Sequence, residues 1–397
     1  GEGQMAVAAP GVDLVARAIF GAGADGRTLY VDNGHPAADD ANPGGPDRPL
    51  KTISKAVELM QPGDRVIIRP GVYREGIALM KGGTKEKPVV IQAEKSGTVV
   101  VTGADPLKGW TREPGDAPVY SVSWPHDFII NTNPDGSKVR NHGADAPIGC
   151  AEQVIWDSRP LTQVMSRAAM RPGTFFVDWD RDRLYVWLPG GLDPNATEVL
   201  GSTRSTQLER GGPWGNWAKP EYVHVKGIIF RYAANFAQRG GVKAWNGWRI
   251  EDCIVEWNNG GGLGIDGDDV VVLRVTSQDN GFSGIGGGGR NGLVKDCVVR
   301  RNNRKGFPVG WDGGGGKFCG TEGLRIEEIV VDPPIDDVDP LEAGDRPHRD
   351  AVVLDHEIAA LDQGDAHLAG EEHVLEIGAV EHAGRQQHDL RVEHALG

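Results

Sequence analysis

The chain of 397 residues has a formal net charge of −14, and this charge is concentrated at one end. Residues 328–397 hold 18 acidic side chains and 4 arginines, whereas residues 1–327 hold 38 acidic and 38 basic side chains. A neutral body excludes the basic footprint that a nucleic-acid partner requires, and no apolar run is long enough to cross a membrane.

Residues 1–27 are predicted to form a flexible N-terminal segment. They are rich in Ala, Gly and Val, but they lack the basic start and the continuous apolar stretch of a signal peptide. The chain also does not begin with Met, so we expect it to be a fragment whose secretion signal is lost or was never included.

Residues 28–106 are predicted to form an N-terminal cap and the first strands of the fold. A strand is expected at 28–34, and an amphipathic helix at 50–60, whose apolar residues fall on one face. Further strands are expected within 64–77 and 88–104. A helix in this place would cover one end of a stack of strands, which otherwise exposes apolar side chains and strand edges.

Residues 107–206 contain longer strand-like segments that do not follow the spacing of the later repeats. Asp178 to Arg183 has the composition of a hairpin turn between strands at 175–177 and 184–186. We therefore predict an antiparallel, β-sandwich-like insert.

Residues 207–327 repeat one short phrase, with apolar residues alternating at a period of two and no helical stripe. Two columns of residues recur at a spacing of 22, namely Cys253, Val275 and Cys297, and Asn258, Asn280 and Asn302. A fixed period of this length indicates a solenoid whose repeats stack on one another. We predict a parallel β-helix with one coil per phrase, in which the Asn column forms a structural ladder because Asn tolerates left-handed turns and its amides stack.

The four cysteines do not indicate a disulfide scaffold. Cys253 and Cys297 share a column, but the coil of Val275 lies between them. Two strand spacings place their Cα atoms roughly 9–10 Å apart, which is too far for a disulfide. We expect buried free thiols.

Three glycine runs recur on the same part of successive coils, with polar residues between them. The runs are 260–262, 286–289 and 313–316, and the polar residues are Asp266, Asp268, Asp269, Arg290, Asp312 and Lys317. Positions without side chains would let the rings of an extended polysaccharide approach the backbone. The alternative is that the glycines form tight corners, which the aspartates cap. Residues 262–267 match G-x-G-x-x-G, but a strand pattern follows them, which argues against a nucleotide site.

Tryptophans add a second type of candidate. Trp214, Trp217 and Trp311 lie in Gly-rich loops, where their rings would be able to stack on sugar faces. The alternative is ordinary packing between the insert and the coils.

The last 70 residues, 328–397, have a different composition. They contain no aromatic residue, no Lys and seven of the 11 His. Such an acidic segment cannot build a core, so we expect a tail that is disordered, out of frame or foreign. The irregular spacing of its histidines, such as His356 and His367, argues against a metal site.

Four stretches within residues 28–327 are similar to those of a known family. They are YVDNG, PLKTISKAVELMQPGDRVIIRPGVYRE, RLYVWLPGGLDPNATEV and GWRIEDCIVEWN. By these stretches the chain resembles carbohydrate-active β-helix proteins, most closely the β-xylosidase-type enzymes of glycoside hydrolase family 120. This resemblance implies a right-handed parallel β-helix of the pectin lyase-like type, interrupted by a β-sandwich. It also implies retaining hydrolysis by two carboxylates about 5–5.5 Å apart.

By this resemblance Asp312 would contact the substrate or assist catalysis, and Lys317 would bind its hydroxyls or a carboxylate. The family's two catalytic carboxylates are expected in the next two coils, where this sequence departs from the family pattern after Glu327. We therefore expect a truncated hydrolase that is inactive or barely active. The resemblance also implies an extracellular or periplasmic protein with a polysaccharide or oligosaccharide as its partner.

Two other functions remain open. In a polysaccharide lyase, Lys317 or Arg290 would act as the base on an acidic sugar, and Asp266, Asp268 and Asp269 would hold Ca²⁺. A hydrolase would need no cofactor. The third possibility is a non-catalytic carbohydrate-binding β-helix, in which Trp214, Trp217, Trp311 and Arg290 would contact the glycan.

Overall fold

The structure, a computed structural model, describes most of the chain between residues 26 and 331 and three strands beyond it. The described residues are 26–128, 130–132, 138–140, 147–213, 215–307, 313–331, 352–357, 372–377 and 392–395. Nearly all of the regular structure in them is β, so the predicted all-β class is confirmed. No helix among these residues is long and apolar enough to span a membrane. The predicted segment 1–27 lies almost entirely outside the described residues.

Seven elements form the N-terminal part. They are β1 (Thr28–Val31), α1 (Ile53–Leu59), β2 (Arg65–Ile68), β3 (Gly71–Tyr73), β4 (Ile77–Leu79), β5 (Val89–Ala93) and β6 (Val99–Thr102). Helix α1 begins after Thr52, whose hydroxyl accepts a hydrogen bond from the Lys55 N–H at 3.1 Å. The Glu75 carboxylate accepts from the N–H groups of Ile53 and Ser54 at 3.0 and 2.8 Å. The apolar side of α1 is buried in the same core as the strands, as expected of a capping helix.

The insert between β6 and the later coils contains eleven strands. They are β7 (Ala104–Pro106), β8 (Thr111–Arg112), β9 (Tyr120–Ser123), β10 (Ile130–Thr132), β11 (Lys138–Arg140), β12 (Val154–Trp156), β13 (Arg159–Pro160), β14 (Thr162–Gln163), β15 (Thr174–Asp178), β16 (Arg183–Trp187) and β17 (Val199–Ser202). Short 3₁₀ turns occur at Pro147–Gly149, Arg167–Ala169 and Pro189–Gly191. The sheets run β13-β12-β17-β7 and β14-β15-β16-β9-β8, with β10-β11 as a separate pair.

The two larger sheets of the insert enclose a core of their own, which includes Trp124 and Phe175. The predicted hairpin is confirmed, because Asp178 pairs with Arg183 at the turn between β15 and β16. The insert begins earlier than the predicted residue 107, since β7 pairs with β17 in an insert sheet.

The coils after the insert contain fourteen strands. They are β18 (Leu208–Arg210), β19 (Val223–Lys226), β20 (Ile228–Arg231), β21 (Gly240–Ala244), β22 (Arg249–Glu251), β23 (Ile254–Glu256), β24 (Gly261–Asp266), β25 (Val271–Leu273), β26 (Thr276–Gln278), β27 (Ile285–Arg290), β28 (Leu293–Lys295), β29 (Val298–Arg300), β30 (Gly316–Glu322) and β31 (Arg325–Val331). Neighbouring coils pair in parallel throughout, which confirms the parallel β-helix.

The strands form a prism with three faces. Face 1 consists of β1, β2, β5, β19, β22, β25, β28 and the first half of β31. Face 2 consists of β3, β6, β20, β23, β26, β29 and the second half of β31. Face 3 consists of β4, β18, β21, β24, β27 and β30. Each coil passes through the three faces in this order, and the insert occupies the connection from face 2 to face 3 between β6 and β18.

The two columns predicted from the sequence are both internal. Cys253, Val275 and Cys297 are 1%, 0% and 0% exposed, and all four cysteines of the chain are free, as expected. Asn258, Asn280 and Asn302 are also buried, and they form a hydrogen-bonded ladder from coil to coil.

At the corner between faces 2 and 3, the left-handed backbone does not fall on the three Asn residues of the ladder. It falls one residue earlier, on Trp257, Asp279 and Arg301, with φ of 56°, 54° and 50°. The expectation that Asn supplies the left-handed turn is therefore wrong, although the ladder itself is confirmed. The Asn amide acts through its hydrogen bonds to the neighbouring coil, and the preceding residue turns the chain.

The tail adds three described strands, of which the first two run against the coil direction. They are β32 (Val352–Glu357), β33 (Glu372–Ile377) and β34 (Val392–Ala395). Strand β32 pairs antiparallel with β31, β33 pairs antiparallel with β30, and β34 pairs with β33. The change from parallel to antiparallel pairing coincides with the change in composition, and the origin of residues 328–397 stays a prediction.

Candidate functional site

The outer surface of face 3 carries the described residues of the predicted site. Strands alternate between core and surface, so Leu263 and Ile265 point inward while Gly264 and Asp266 point outward. The outward positions nearest the centre of the face form a row across successive strands. This row consists of Glu209, Lys243, Gly264, Gly286 and Lys317.

Most glycines of this face are required by coil stacking. A Cβ on Gly287, where φ is 131°, would lie 2.0 Å from the Ile265 carbonyl oxygen, and a Cβ on Gly316 would lie 1.7 Å from that of Ile285. These residues lie within strands β27 and β30, so the alternative reading of the runs as tight corners does not describe them. Gly264 differs, because its nearest neighbours would be 3.6 Å or more from an added Cβ.

The glycines leave an open strip that is bordered by charges. Gly264 pairs in register with Gly286, and Asp266 pairs with Gly288. On the side of the preceding coil, Lys243 Nζ lies 2.7 Å from Asp266 Oδ2. On the side of the following coil stands Lys317, whose carbonyl oxygen would lie 2.6 Å from a Cβ on Gly286. A flat ring can therefore approach backbone here while its edge reaches an amine or a carboxylate.

Trp217 belongs to an aromatic cluster around Arg210, at the end of β18 on the same face. The Arg210 guanidinium carbon lies 3.7 Å from the ring centroid of Trp245 and 5.6 Å from that of Trp217. Trp217 is half-buried, so part of its surface remains accessible. Sequence reasoning missed Lys243, Arg210 and Trp245. The signal for Lys243 was its outward position in the strand GGVKA, one coil before Gly264.

The three aspartates proposed as Ca²⁺ ligands each face a different partner. Asp266 pairs with Lys243, the Asp268 carboxylate accepts from Arg290 at 2.9 and 3.2 Å, and Asp269 Oδ1 accepts from the side chain of Asn291 at 3.3 Å. The hydrogen bonds from Arg290 hold the pKa of Asp268 below its usual value. Within the described ranges, no three Asp, Glu, His or Cys residues are grouped closely enough to hold a metal ion.

Three of the candidate residues, Trp214, Trp311 and Asp312, lie outside the described residues. Arg290 is described at the end of β27, where it is 63% exposed and paired with Asp268. The structure thus brings Lys317 to the glycine strip, places Arg290 at the end of β27, and places Trp217 in the cluster around Arg210. The catalytic roles proposed for Asp312 and Lys317 stay predictions.

A second concavity lies on face 1, away from the predicted residues. It is a groove of about 630 Å³ that crosses β2, β5, β19 and β22, and its lining includes Arg65, His224 and Glu251. Burial lowers the pKa of His224, and the positive charge of Arg249 lowers it further. Glu251 is 3% exposed and lies among Lys226, Arg249 and Arg274. Because the buried Glu251 carboxylate faces these cations, we interpret this part of the groove as a network of ion pairs that holds neighbouring coils together.

Comparison with known proteins adds three similarities. Residues 48–109 match the family described as Chondroitinase B. The chain is 28% identical over 106 residues to YwoF of Bacillus subtilis strain 168, an uncharacterized protein, and the match covers 27% of this chain and 21% of YwoF. The solved complex of XylC with xylose superposes with a TM-score of 0.59 at 15% identity, covering 76% of this chain and 58% of XylC.

These similarities concern parts of longer proteins. The chain spans about a fifth of YwoF and 58% of the XylC chain. At 15% identity the likeness to XylC shows a shared fold, the parallel β-helix described above, and does not by itself show a shared activity.

Proposed function

We propose that this chain is a carbohydrate-active β-helix protein of the glycoside hydrolase type, which takes a polysaccharide or oligosaccharide on face 3. The observation that carries the proposal is the strip at Gly264 and Gly286, bordered by the Lys243–Asp266 pair and by Lys317. Sugar recognition needs an apolar or flat contact for the ring together with a few polar groups for its hydroxyls. This strip offers both.

The more specific proposal is a retaining reaction of the β-xylosidase type that resembles glycoside hydrolase family 120. It is supported by the fold that the chain shares with XylC, a protein solved with xylose. The reaction needs a nucleophile and an acid/base carboxylate about 5–5.5 Å apart. We propose Asp312 as a substrate contact or assistant at this site and Lys317 as the residue that binds hydroxyls. By the same resemblance we propose that the protein is secreted.

Binding is tested first, by calorimetric titration with xylobiose and xylotriose. Gly264→Val adds a branched side chain to the strip at a position where a Cβ has room, and Lys317→Met removes the amine. Each variant is expected to weaken binding at least tenfold, whereas the control Lys85→Met, at an exposed lysine between β4 and β5, leaves it unchanged. Wild-type affinity in both Gly264→Val and Lys317→Met would contradict the placement on face 3.

Turnover then separates the three functions. Release of a reducing sugar without an unsaturated product indicates hydrolysis. An ultraviolet-absorbing unsaturated product that disappears with EDTA indicates the Ca²⁺-dependent lyase. Saccharide binding without turnover on any polysaccharide indicates a carbohydrate-binding protein.

A further inference from the structure

The corner between faces 2 and 3 packs against the insert. The Tyr232 hydroxyl donates to the Ser158 carbonyl at 2.9 Å, at the turn between β12 and β13. The side chain of Asn259 donates to the Cys150 carbonyl at 2.9 Å, and Lys305 Nζ donates to Asn259 Oδ1 at 3.0 Å. The insert and the corner are therefore held at fixed positions relative to one another.

Arg304 lies at this corner. Its guanidinium carbon is 4.1 Å from the ring centroid of Trp257, so the two groups stack. Protein atoms surround the guanidinium on most sides, and the side chain keeps partial solvent exposure. Among the described residues, no side chain or carbonyl accepts a hydrogen bond from the Arg304 guanidinium.

The charges around Arg304 are unbalanced. Arg301 is paired through two hydrogen bonds with Asp279, at 2.9 and 2.6 Å, so this carboxylate is already occupied. No described carboxylate lies within 4.0 Å of Arg304 or of Arg159, an exposed residue of the β12–β13 hairpin. Burial lowers the pKa of Arg304 to about 10; Asp279 opposes this shift, and the nearby Arg159 and Arg301 add to it. The guanidinium remains charged at neutral pH, and a bound anion would relieve this electrostatic cost.

Stacking determines which part of Arg304 is available to a ligand. The guanidinium carbon lies 4.1 Å from the ring centroid of Trp257, so this contact occupies the ring side of the group, and a ligand has to approach its N–H groups from another side. An edge with two parallel N–H groups matches the two oxygens of a carboxylate, and arginine keeps this geometry because its guanidinium is planar and weakly hydrated.

We propose that Arg304, stacked on Trp257 and flanked by Arg159, is the binding residue for the carboxylate of an acidic sugar. The inference rests on the proposed saccharide function and narrows it to substrates that carry a uronic acid. Arg304 lies on the connection from β29 on face 2 to β30 on face 3, and in this proposal one oligosaccharide contacts both the glycine strip and Arg304. The uronic acid would then be a side group or neighbouring unit of the sugar on the strip.

The test compares matched oligosaccharides by calorimetric titration of the full chain. The ligands are xylotriose, xylotriose bearing one glucuronic acid, and xylotriose bearing one sulfate ester. Arg304→Met keeps the apolar part of the side chain, Arg304→Lys keeps the charge without the planar edge, and Arg181→Met is a control at an exposed arginine paired with Asp178. Thermal unfolding of each variant reports whether it folds.

The wild type is expected to bind the glucuronic acid derivative at least tenfold more tightly than xylotriose. Arg304→Met should lose this difference while its affinity for xylotriose stays within twofold, and Arg304→Lys should retain only part of it. Equal binding of the neutral and uronate ligands by the wild type, or an unchanged difference in Arg304→Met, overturns the inference and leaves the saccharide function standing. A preference for the sulfate ester overturns the carboxylate assignment. Absence of binding to all three ligands overturns the inference together with the proposed function.

Discussion

Asn258 donates a hydrogen bond from its side-chain amide to Asn280 Oδ1 at 3.0 Å, and Asn280 makes the same bond to Asn302 at 3.0 Å. Asn280 Oδ1 also accepts from the Asn258 backbone N–H at 3.1 Å. One buried amide therefore joins the backbone and the side chain of the adjacent coil. The ladder fixes the register of three coils at the corner from face 2 to face 3.

Asn280→Ala is expected to destabilise the protein by about 2–4 kcal/mol, because it removes the acceptor of the buried backbone N–H and side-chain amide of Asn258 and one of the two donors to Asn302 Oδ1. Urea unfolding measures the change. Asn216→Ala, at an exposed position, is the control and should change the free energy of unfolding by less than about 0.5 kcal/mol. Similar values for both variants would show that the ladder contributes little.

Glu251→Gln is expected to cost about 3 kcal/mol. The carboxylate is buried among Lys226, Arg249 and Arg274, and its neutralisation removes a charge that faces all three cations, of which Lys226 and Arg274 also pair with Asp252. Asp268→Asn is the matched control, since its pair with Arg290 is exposed and should be worth less than about 1 kcal/mol. Denaturant titrations of both variants at low and high salt measure the two losses in free energy of unfolding. A loss for Asp268→Asn that equals or exceeds the loss for Glu251→Gln would contradict the prediction.

The buried thiols predict a loss of stability at high pH. Burial raises the pKa of Cys253 to about 12 and that of Cys297 to about 11, above the value of 9.0 for an unperturbed thiol. The unfolded chain therefore releases these protons between about pH 9 and 11 while the folded chain keeps them, so stability falls as pH rises through this window. Each thiol should contribute about 2 kcal/mol of this loss by pH 10.5.

The measurement is the free energy of unfolding between pH 8 and 10.5. Cys253→Ala should show a shallower decrease than the wild type, although its stability at pH 8 is lower because a buried side chain is truncated. An unchanged slope would mean that other groups titrate in this range. Native Cys253 and Cys297 should also react very slowly with thiol reagents at pH 8.

Two glycines of face 3 should respond to alanine with opposite signs. A Cβ on Gly286 would lie 2.6 Å from the Lys317 carbonyl oxygen in the next coil, so Gly286→Ala is expected to destabilise by about 1–3 kcal/mol. Gly264 has room for a Cβ, and Gly264→Ala should stabilise by up to about 1 kcal/mol by restricting the unfolded chain. Thermal unfolding measures the change in stability of each variant relative to the wild type. Changes of the same sign and size in both variants would contradict the prediction.

The repeat could be predicted because each coil places the same residue type in the same environment. The columns through Cys253 and Asn258 recur at a fixed spacing, and the alternation of inward and outward residues follows from strand geometry. The helix α1 was equally visible, because its apolar residues share one face. These features depend on neighbours in the sequence or on an exact period.

The candidate sites could be predicted only in part, because their residues meet across irregular connections. Lys317 was identified from its position after a glycine run, and the structure places it beside Gly286. Arg304 was not identified, since nothing in its local sequence shows that it stacks on Trp257 from another coil. The role of the glycines was understood incompletely, because contacts between coils determine which of them can carry a side chain.

Between β2 and β30, the two longest connections leave the prism at the same corner. The insert starts after β6, and the long connection that carries Arg304 starts after β29; both lie between face 2 and face 3. Faces 1 and 2 meanwhile keep their strand pairing unchanged from coil to coil. An engineer can therefore exchange the connections at this one edge, and with them the surroundings of Arg304, while the strands of faces 1 and 2 remain untouched.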